Sequence, residues 1–416
     1  MKRLLKVTAM TGLLTLVKMA MGFVIAKVVA IYTGPSGMAM LGQVQSVING
    51  FNGIINAPVS NGVVRFTAEY NDRGYESCSP WWKASLHWVL LLSCLLISSG
   101  LFFAPELSKW ILRDPSYIWV IYIILVSLPL TAIGTLITSV INGQQHYKLY
   151  VFLGMISAVL SGILMIVLII NYNLKGALMA AALQSSLIGF ILLVLTLKQP
   201  WLRMKYWLGK APRDAYKSIG GYILMASATA LALPISLVLL RNILIDKVGW
   251  ELAGQWQAVW KISEVYLGVC TMALSAYYLP RLATIKGLND TRREIRNTAK
   301  IIVPLVSLMA VCVYFLRDVA ISVLFTEEFR QARELFAIQL VGDVVKIASW
   351  LYAFPMLARN ATKWFVSTEI FFSATFVIIG YFFINHFGVQ GANIAYLVNY
   401  IFYFLFVVLN LKRFSS

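Results

Sequence analysis

The sequence predicts an all-α polytopic membrane protein with twelve transmembrane helices in two pseudo-symmetric six-helix lobes. Three observations carry that prediction: apolar runs of spanning length, an alternating distribution of basic residues, and an internal echo at a nearly fixed offset. Of 416 residues, 60% are hydrophobic and 12% charged, with a mean hydropathy of +0.77. Soluble domains carry about a quarter charged residues. Apolar runs of about 20 residues recur along the chain, each long enough to cross roughly 30 Å of hydrocarbon as a helix. Barrel strands would alternate in short segments, and stretches such as 88–103 and 151–170 do not.

The net charge of +18 acquires meaning by position. Of 35 Lys and Arg, 23 lie in the two tails and in every second connection, 8 in the intervening connections and 4 inside spans. This positive-inside asymmetry places both termini in the cytoplasm and requires an even number of spans. The basic excess is therefore a signal for topology and anionic lipid rather than for nucleic acid. Four cysteines without C-x-x-C spacing and three dispersed histidines imply neither a disulfide framework nor a metal centre.

Span one runs from about residue 4 to 31, too long for the core of a cleaved leader. It ends at the turn Gly34-Pro35-Ser36-Gly37. Span two follows over about 38–64, then a charged cytoplasmic connection at 65–83. Spans three and four occupy about 84–104 and 117–141, and five and six about 149–170 and 176–197. Lys198 to Lys217 carries six basic residues against one acidic residue, with Pro200 and Pro212. The expected organisation is an N-terminal lobe at 1–200, a basic cytoplasmic linker at 201–217 and a C-terminal lobe at 218–416. Spans in the second lobe fall near 218–240, 256–279, 299–317, 334–357, 366–384 and 390–411.

The two halves echo each other. Gly42, Gln43, Gln45 and Val47 recur as Gly254, Gln255, Gln257 and Val259, each 212 residues later. Near the sixth span of each half, G-A-x-x-A starts at Gly176 and again at Gly391, 215 residues apart. Six spans per half give both halves the same orientation, related by an axis along the membrane normal, with a transport site expected between them.

Charges inside spans cost about 3 kcal/mol each on insertion scales and mark functional candidates. The informative ones are Lys18 and Lys27 in span one, Lys261 and Glu264 in span eight, and Asp343 and Lys346 in span ten. Gln257, Lys261, Glu264 and Gly268 share one helical face, as do Gln339, Asp343, Lys346 and Trp350. The echo maps the first set onto Gln45, Asn49, Asn52 and Asn56. The simplest arrangement turns these faces to a shared cavity lined by Lys18, Lys27, Asn49, Asn52, Lys261, Glu264, Asp343 and Lys346. The alternative is that the amides bond helices together, and that Lys261 with Glu264, and Asp343 with Lys346, neutralise each other. Snorkelling is an equal alternative for Lys27. Arg65 and Arg281 close spans two and eight at the expected cytoplasmic mouth, either as ordinary positive-inside residues or as the first contacts of an incoming anion. Arg241 and Asp246 near the far end of span seven stay undecided. Trp256 and Trp260 read as interfacial anchors or, less readily, as sugar-stacking surfaces. Three lysines against fewer acids favour an anionic solute, while Glu264 and Asp343 are the candidates for carrying a coupled proton or sodium.

The Tyr32-Thr33-Gly34-Pro35 turn after a lysine-bearing first span, the basic connection between spans six and seven, and the Leu340-Val-Gly-Asp-Val-Val-Lys346 segment resemble Wzx-type polysaccharide-unit flippases. These belong to the multidrug/oligosaccharidyl-lipid/polysaccharide (MOP) exporter superfamily, and the likeness is strongest to lipid III and O-antigen translocases. The resemblance covers essentially the whole chain. It implies a MATE-like fold and a non-enzymatic flippase in the bacterial inner membrane. Such a protein moves an undecaprenyl-diphosphate-linked oligosaccharide, of O-antigen or enterobacterial common antigen type, from the cytoplasmic to the periplasmic leaflet by alternating access. Expected partners are that lipid, the bilayer and other glycan-assembly membrane proteins; no cofactor is implied beyond a coupling ion. The rival readings are a multidrug or cation antiporter of the same superfamily and a membrane-embedded glycan polymerase or ligase. The polymerase would need a large extramembrane catalytic segment, whereas the longest connections are about 20 residues.

Overall fold

A computed structural model describes residues 2–285, 287–359 and 361–415, with side-chain environments from residue 10 onward except at 222, 224, 225, 228, 229, 276 and 415. Among the described residues every regular element is helical. The long helices are α1 (Lys2–Asn56), α3 (Tyr75–Phe102), α5 (Ile118–Gly143), α6 (Tyr147–Thr196), α7 (Arg213–Ala273), α9 (Leu288–Phe315), α11 (Phe336–Ala358), α12 (Thr362–Phe387) and α13 (Gln390–Ser415). Shorter ones are α2 (Asn61–Tyr70), α4 (Ala104–Leu112), α8 (Leu279–Thr284) and α10 (Arg317–Leu324). Eight described segments are long and apolar enough to cross a membrane. Helices α1, α6 and α7 each carry two of the expected apolar runs, joined at a non-helical residue: Gly34, Asn173 and Gly249. The helix order is thus the one expected for twelve spans.

The duplication is written in the backbone. Gly34 and Gly249, 215 residues apart, turn at φ 62° and 82° with ψ −169° and 173°. Asn173 and Gly388, also 215 apart, have φ/ψ of 49°/−128° and 58°/−137°. Gly74 and Gly287, 213 apart, precede α3 and α9 at φ 91° and 97°, and both helices run for 28 residues. Left-handed φ is cheap only for glycine and, less so, asparagine. Five of these six sites are glycine and the sixth is asparagine, so the repeat preserves turn geometry where side chains have diverged.

The chain forms two compact units: residues 1–32 with 43–234, and residues 33–42 with 235–416. In the first, α5 and α6 meet through small residues. A Cβ on Gly134 would lie 2.6 Å from Gly189 Cα, and one on Gly189 would lie 2.1 Å from the Leu130 carbonyl oxygen. Such close backbone approach replaces the hydrophobic driving force that lipid cannot supply.

The 201–217 stretch, expected as a linker, is anchored on this first unit. Trp207 stacks on buried Trp82 at 5.0 Å, Ser79 Oγ donates to the Tyr206 carbonyl at 2.7 Å, and Trp201 is buried. Lys205 lies over Tyr206 and pairs with Glu76 at 3.3 Å; these contacts, Tyr206 first, raise its pKa. The break between compact units falls inside α7, after Pro234. Aromatic packing explains why: tryptophans anchor residues that a charge-based reading marks only as a basic linker.

In the second unit, residues 33–42 pack on the second limb of α7. A Cβ on Gly254 would lie 1.9 Å from the Pro35 carbonyl oxygen. Helices α11 and α13 lie side by side, and Gly342 is the contact that permits it: a Cβ there would meet the Tyr396 ring at 2.5 Å.

Candidate functional site

Four of the eight expected cavity residues lie in the first unit. Lys18 is exposed on α1, and Lys27, about two and a half turns further along, is half-buried. Asn49 accepts a hydrogen bond from Gln45 Nε2 at 3.0 Å, and Asn52 Nδ2 donates to Ser185 Oγ at 3.0 Å on α6. Asn52 therefore ties two helices together, and Asn49 is bonded along its own helix. Arg65 on α2 is exposed, 4.0 Å from Glu69 and 5.4 Å from the Phe66 ring.

The other four come together in the second unit, where three helices contribute to one polar-aromatic cluster. Asp343 is fully buried on α11. Its Oδ2 accepts from Ser263 Oγ and from Tyr266 OH, both at 2.6 Å on α7. Its Oδ1 accepts from Tyr396 OH on α13 at 2.9 Å and from Gln339 Nε2 at 3.2 Å, one turn back on α11. Four donors from three helices converge on one carboxylate, which is the arrangement a buried polar group requires. One helical turn onward, Lys346 is half-buried among aromatic faces. Its Nζ lies 5.2 Å from the centroid of Trp350, 5.4 Å from Tyr400, 5.6 Å from Tyr396 and 5.8 Å from Trp260. A ring quadrupole attracts a cation at such distances by about 0.5–2 kcal/mol, more as water is excluded.

The structure does not form the Asp343–Lys346 ion pair that was the alternative to cavity lining. Neither residue forms an ion pair with the other, because Asp343 turns to α7 and α13 while Lys346 turns to the aromatic rings. Among the described residues, Lys346 Nζ has no hydrogen bond or ion pair. Lys261 and Glu264 do pair, at 3.4 Å, with both side chains nearly half exposed. Glu264 also accepts from Trp260 Nε1 at 3.1 Å. The α7 polar stripe is split: Gln257 is buried and accepts from Arg241 Nε at 2.9 Å, while Lys261 and Glu264 stay accessible. Trp256 and Trp260 are not interfacial anchors. Trp256 is fully buried with its Nε1 donating to Asn393, and Trp260 is a wall of the Lys346 cage. Arg281 pairs with Glu294 at 3.7 Å across α8 and α9.

Several residues escaped the sequence reading. Tyr396, Tyr400 and Tyr403 form a stripe on α13 that periodicity shows, but nothing in spacing says the stripe faces a lysine. Ser263 and Tyr266 are ordinary residues of an apolar helix until Asp343 is placed against them. Glu369 on α12 had a usable signal, an acid within an expected span at 366–384, obscured by its position close to the span's end.

Gly342 connects sequence to site most directly. Alanine there would push the Tyr396 ring away from both Asp343 and Lys346. Overpacking of this kind costs about 1–3 kcal/mol. We expect Gly342→Ala to lower the melting temperature of the purified protein in detergent; an unchanged melting temperature would mean that α11 and α13 separate without strain.

A polytopic all-helical fold with an internal repeat and a buried polar cluster defines a class, and that class has solved members. The fold matches an inward-facing multidrug resistance MATE family transporter of the MOP superfamily with a TM-score of 0.74, at 16% identity, over 96% of this chain and 98% of that one. It matches a MOP superfamily transporter from Pyrococcus furiosus, described as having a binding pocket of reverse polarity, at 0.67 and 18% identity over 99% and 96%. Residues 4–286 match the family described as "Polysaccharide biosynthesis protein", and the chain belongs to that family. Over 407 residues it is 27% identical to proteins named "Lipid III flippase" from Escherichia coli (strain K12) and from Shigella flexneri, covering 96% of both chains in each case.

Proposed function

We propose that this protein is a flippase for lipid-linked oligosaccharides, carrying an undecaprenyl-diphosphate-linked unit of O-antigen or enterobacterial common antigen type from the cytoplasmic to the periplasmic leaflet of the bacterial inner membrane. The observation that carries this reading is Lys346: a cation inside the second unit, set among four aromatic faces and in direct contact with no carboxylate among the described residues, although Asp343, Glu264 and Glu369 lie within electrostatic range. An ammonium that no carboxylate touches directly keeps its N–H donors for an anion that arrives with the substrate. A diphosphate is such an anion, since it offers several oxygens to one ammonium. Lys261, paired but accessible, and Lys18, exposed on α1, are the further cations we assign to that headgroup. The remaining assignments in the first unit are Lys27, Asn49 and Asn52 as lining and Arg65, with Arg281 of the second unit, at the cytoplasmic mouth. Family membership and the flippase relatives support the same reading and favour transport over enzymatic chemistry.

The two six-helix lobes, 1–200 and 218–416, are proposed to alternate access, with the termini cytoplasmic. Outward movement of an anion is favoured by a potential positive outside, by about 2.3 kcal/mol per charge per 100 mV. The physical obstacle is then removal of sugars and phosphates from water, which a lined cavity overcomes. Ion coupling would serve to reset the empty carrier, with Glu264 the accessible candidate and Asp343 the enclosed one.

Reconstitution into proteoliposomes with undecaprenyl-diphosphate-linked oligosaccharides of differing sugar content tests this function. Leaflet exchange of the glycan-bearing lipid supports it. Export of an organic cation with no movement of the lipid would instead establish the antiporter. In the same vesicles, Glu264→Gln is expected to preserve folding and to remove any proton dependence of the rate. A rate and a pH profile identical to wild type would leave Glu264 as a partner of Lys261 and Trp260 only.

A further inference from the structure

The second unit contains a cavity of about 270 Å³ next to the Lys346 cage, bounded by α7, α11, α12 and α13 and by the turn that follows α7. Trp350 belongs to both: its ring is 5.2 Å from Lys346 Nζ, and it lines the cavity. The other aromatic walls are Phe354, Phe365 and Tyr403, and the polar lining includes Glu369 and Thr271. At roughly the lower edge of small-ligand pockets, which run from about 300 Å³ upward, the volume suits a single substituted ring.

Glu369 has no hydrogen bond or ion pair among the described residues, so its carboxyl oxygens are open to a ligand. Thr271 already donates its hydroxyl proton to the Leu267 and Gly268 carbonyls, at 3.1 and 3.0 Å, leaving lone pairs for a ligand. With the Ser275 and Tyr403 hydroxyls completing the polar lining, the cavity calls for a ligand with several donors as well as acceptors, and with apolar faces to lie against aromatic rings. An organic cation answers the first need, but Lys346 shares the Trp350 wall and opposes a second positive charge. A sugar ring answers both needs without charge.

A second observation falls at the same place. The wall residue Ser275 belongs to a π-helical turn, Leu274–Tyr278, between α7 and α8. Single π turns inside α-helices are costly and cluster at functional sites. Here the turn widens the helix beside the cavity, while Tyr278 OH is held by the Leu351 carbonyl at 2.8 Å.

We propose that this cavity is a subsite for one sugar ring of the transported unit, with Glu369 accepting hydrogen bonds from its hydroxyls and Trp350, Phe354, Phe365 and Tyr403 covering its faces. The inference rests on the flippase reading above and deepens it: Lys346 takes the diphosphate and the adjoining cavity takes a ring of the glycan. Both lie on one helix, α11, about one turn apart at Lys346 and Trp350.

Binding of two probes to the full-length protein in nanodiscs separates the outcomes: bare undecaprenyl diphosphate, and the same lipid bearing a short neutral oligosaccharide. Glu369→Gln is expected to weaken the glycan-bearing probe about tenfold and to leave the bare lipid unchanged. Thr271→Val is expected to act in the same direction by a smaller factor, and it carries the test alone if the glutamine variant does not fold. Lys346→Ala is expected to weaken both probes. Equal effects of Glu369→Gln on the two probes, or none on either, overturn the subsite while leaving the flippase standing. So does saturable binding of tetraphenylphosphonium that Glu369→Gln abolishes, which would make the cavity a cation site. Wild-type protein that binds neither lipid overturns the flippase reading itself.

Discussion

Asp343→Ala is expected to reduce the amount of folded protein in membranes severely, with a loss of about 3 kcal/mol in the stability of what remains. The carboxylate is fully buried and satisfies donors from three helices: Ser263 and Tyr266 on α7, Tyr396 on α13, and Gln339 on its own helix α11. Removing it leaves four buried donors without their acceptor, and each orphaned group costs about 1–3 kcal/mol in a dry interior. Hydrogen bonds between membrane helices average nearer 0.6 kcal/mol because the separated helices find other partners, so the sum sits well below the upper limit. Asp343→Asn keeps the shape and one acceptor oxygen, and the three hydroxyls can reverse to accept from its amide. It should fold and transport at a rate per molecule close to wild type. The measurement is denaturation in detergent beside transport normalised to folded protein. A well-folded Asp343→Asn that has lost transport, or lost its dependence on the coupling ion, would move Asp343 from holding the helices together to carrying the ion.

Lys346→Ala is expected to have the reverse profile, with normal protein levels and lost transport. Its side chain contributes four cation–ring contacts and no hydrogen bond among the described residues, so truncation leaves no orphaned donor or acceptor in the protein. What it removes is the charge meant for the substrate. Losing one partner of a buried charge contact costs about 2–5 kcal/mol, so transport should fall by about 30-fold or more. Lys18→Ala, in the first unit, should lower transport in the same way without affecting folding. Glycan export at wild-type rates from both variants, at wild-type abundance, would remove the cationic headgroup site. Loss of folded protein in Lys346→Ala would instead mark the aromatic cage as a structural joint.

The legible part of this molecule was whatever the bilayer or the helical period enforces. Apolar length dictated the spans, and the Gly34-Pro35 turn and the G-A-x-x-A repeat lie at or beside paired backbone turns of matching geometry. Intramembrane charges were visible because they are costly, and Lys261, Glu264, Asp343 and Lys346 do gather in one unit. Their partners were not visible. Spacing of three on α11 suggested that Asp343 and Lys346 meet, yet a side chain three residues away competes with every donor on the neighbouring helices. Here Ser263, Tyr266 and Tyr396 won. Charge marked 201–217 as a basic cytoplasmic linker but could not show that the Trp207 ring stacks on Trp82 and so ties the stretch to the first unit. Hydrophobic tyrosines and tryptophans carry little positional information in a sequence that is 13% aromatic, so a cage made of four of them emerges only from the packing.

Tyr396 stands in both halves of the cluster at once. Its hydroxyl donates to Asp343 and its ring faces Lys346, with Gly342 clearing the space it occupies. One rigid side chain therefore works as a lever with its two arms on different charges. A tilt of α13 that withdrew the ring would unlatch the carboxylate and uncover the ammonium in the same movement, so that neither event could be timed independently of the other.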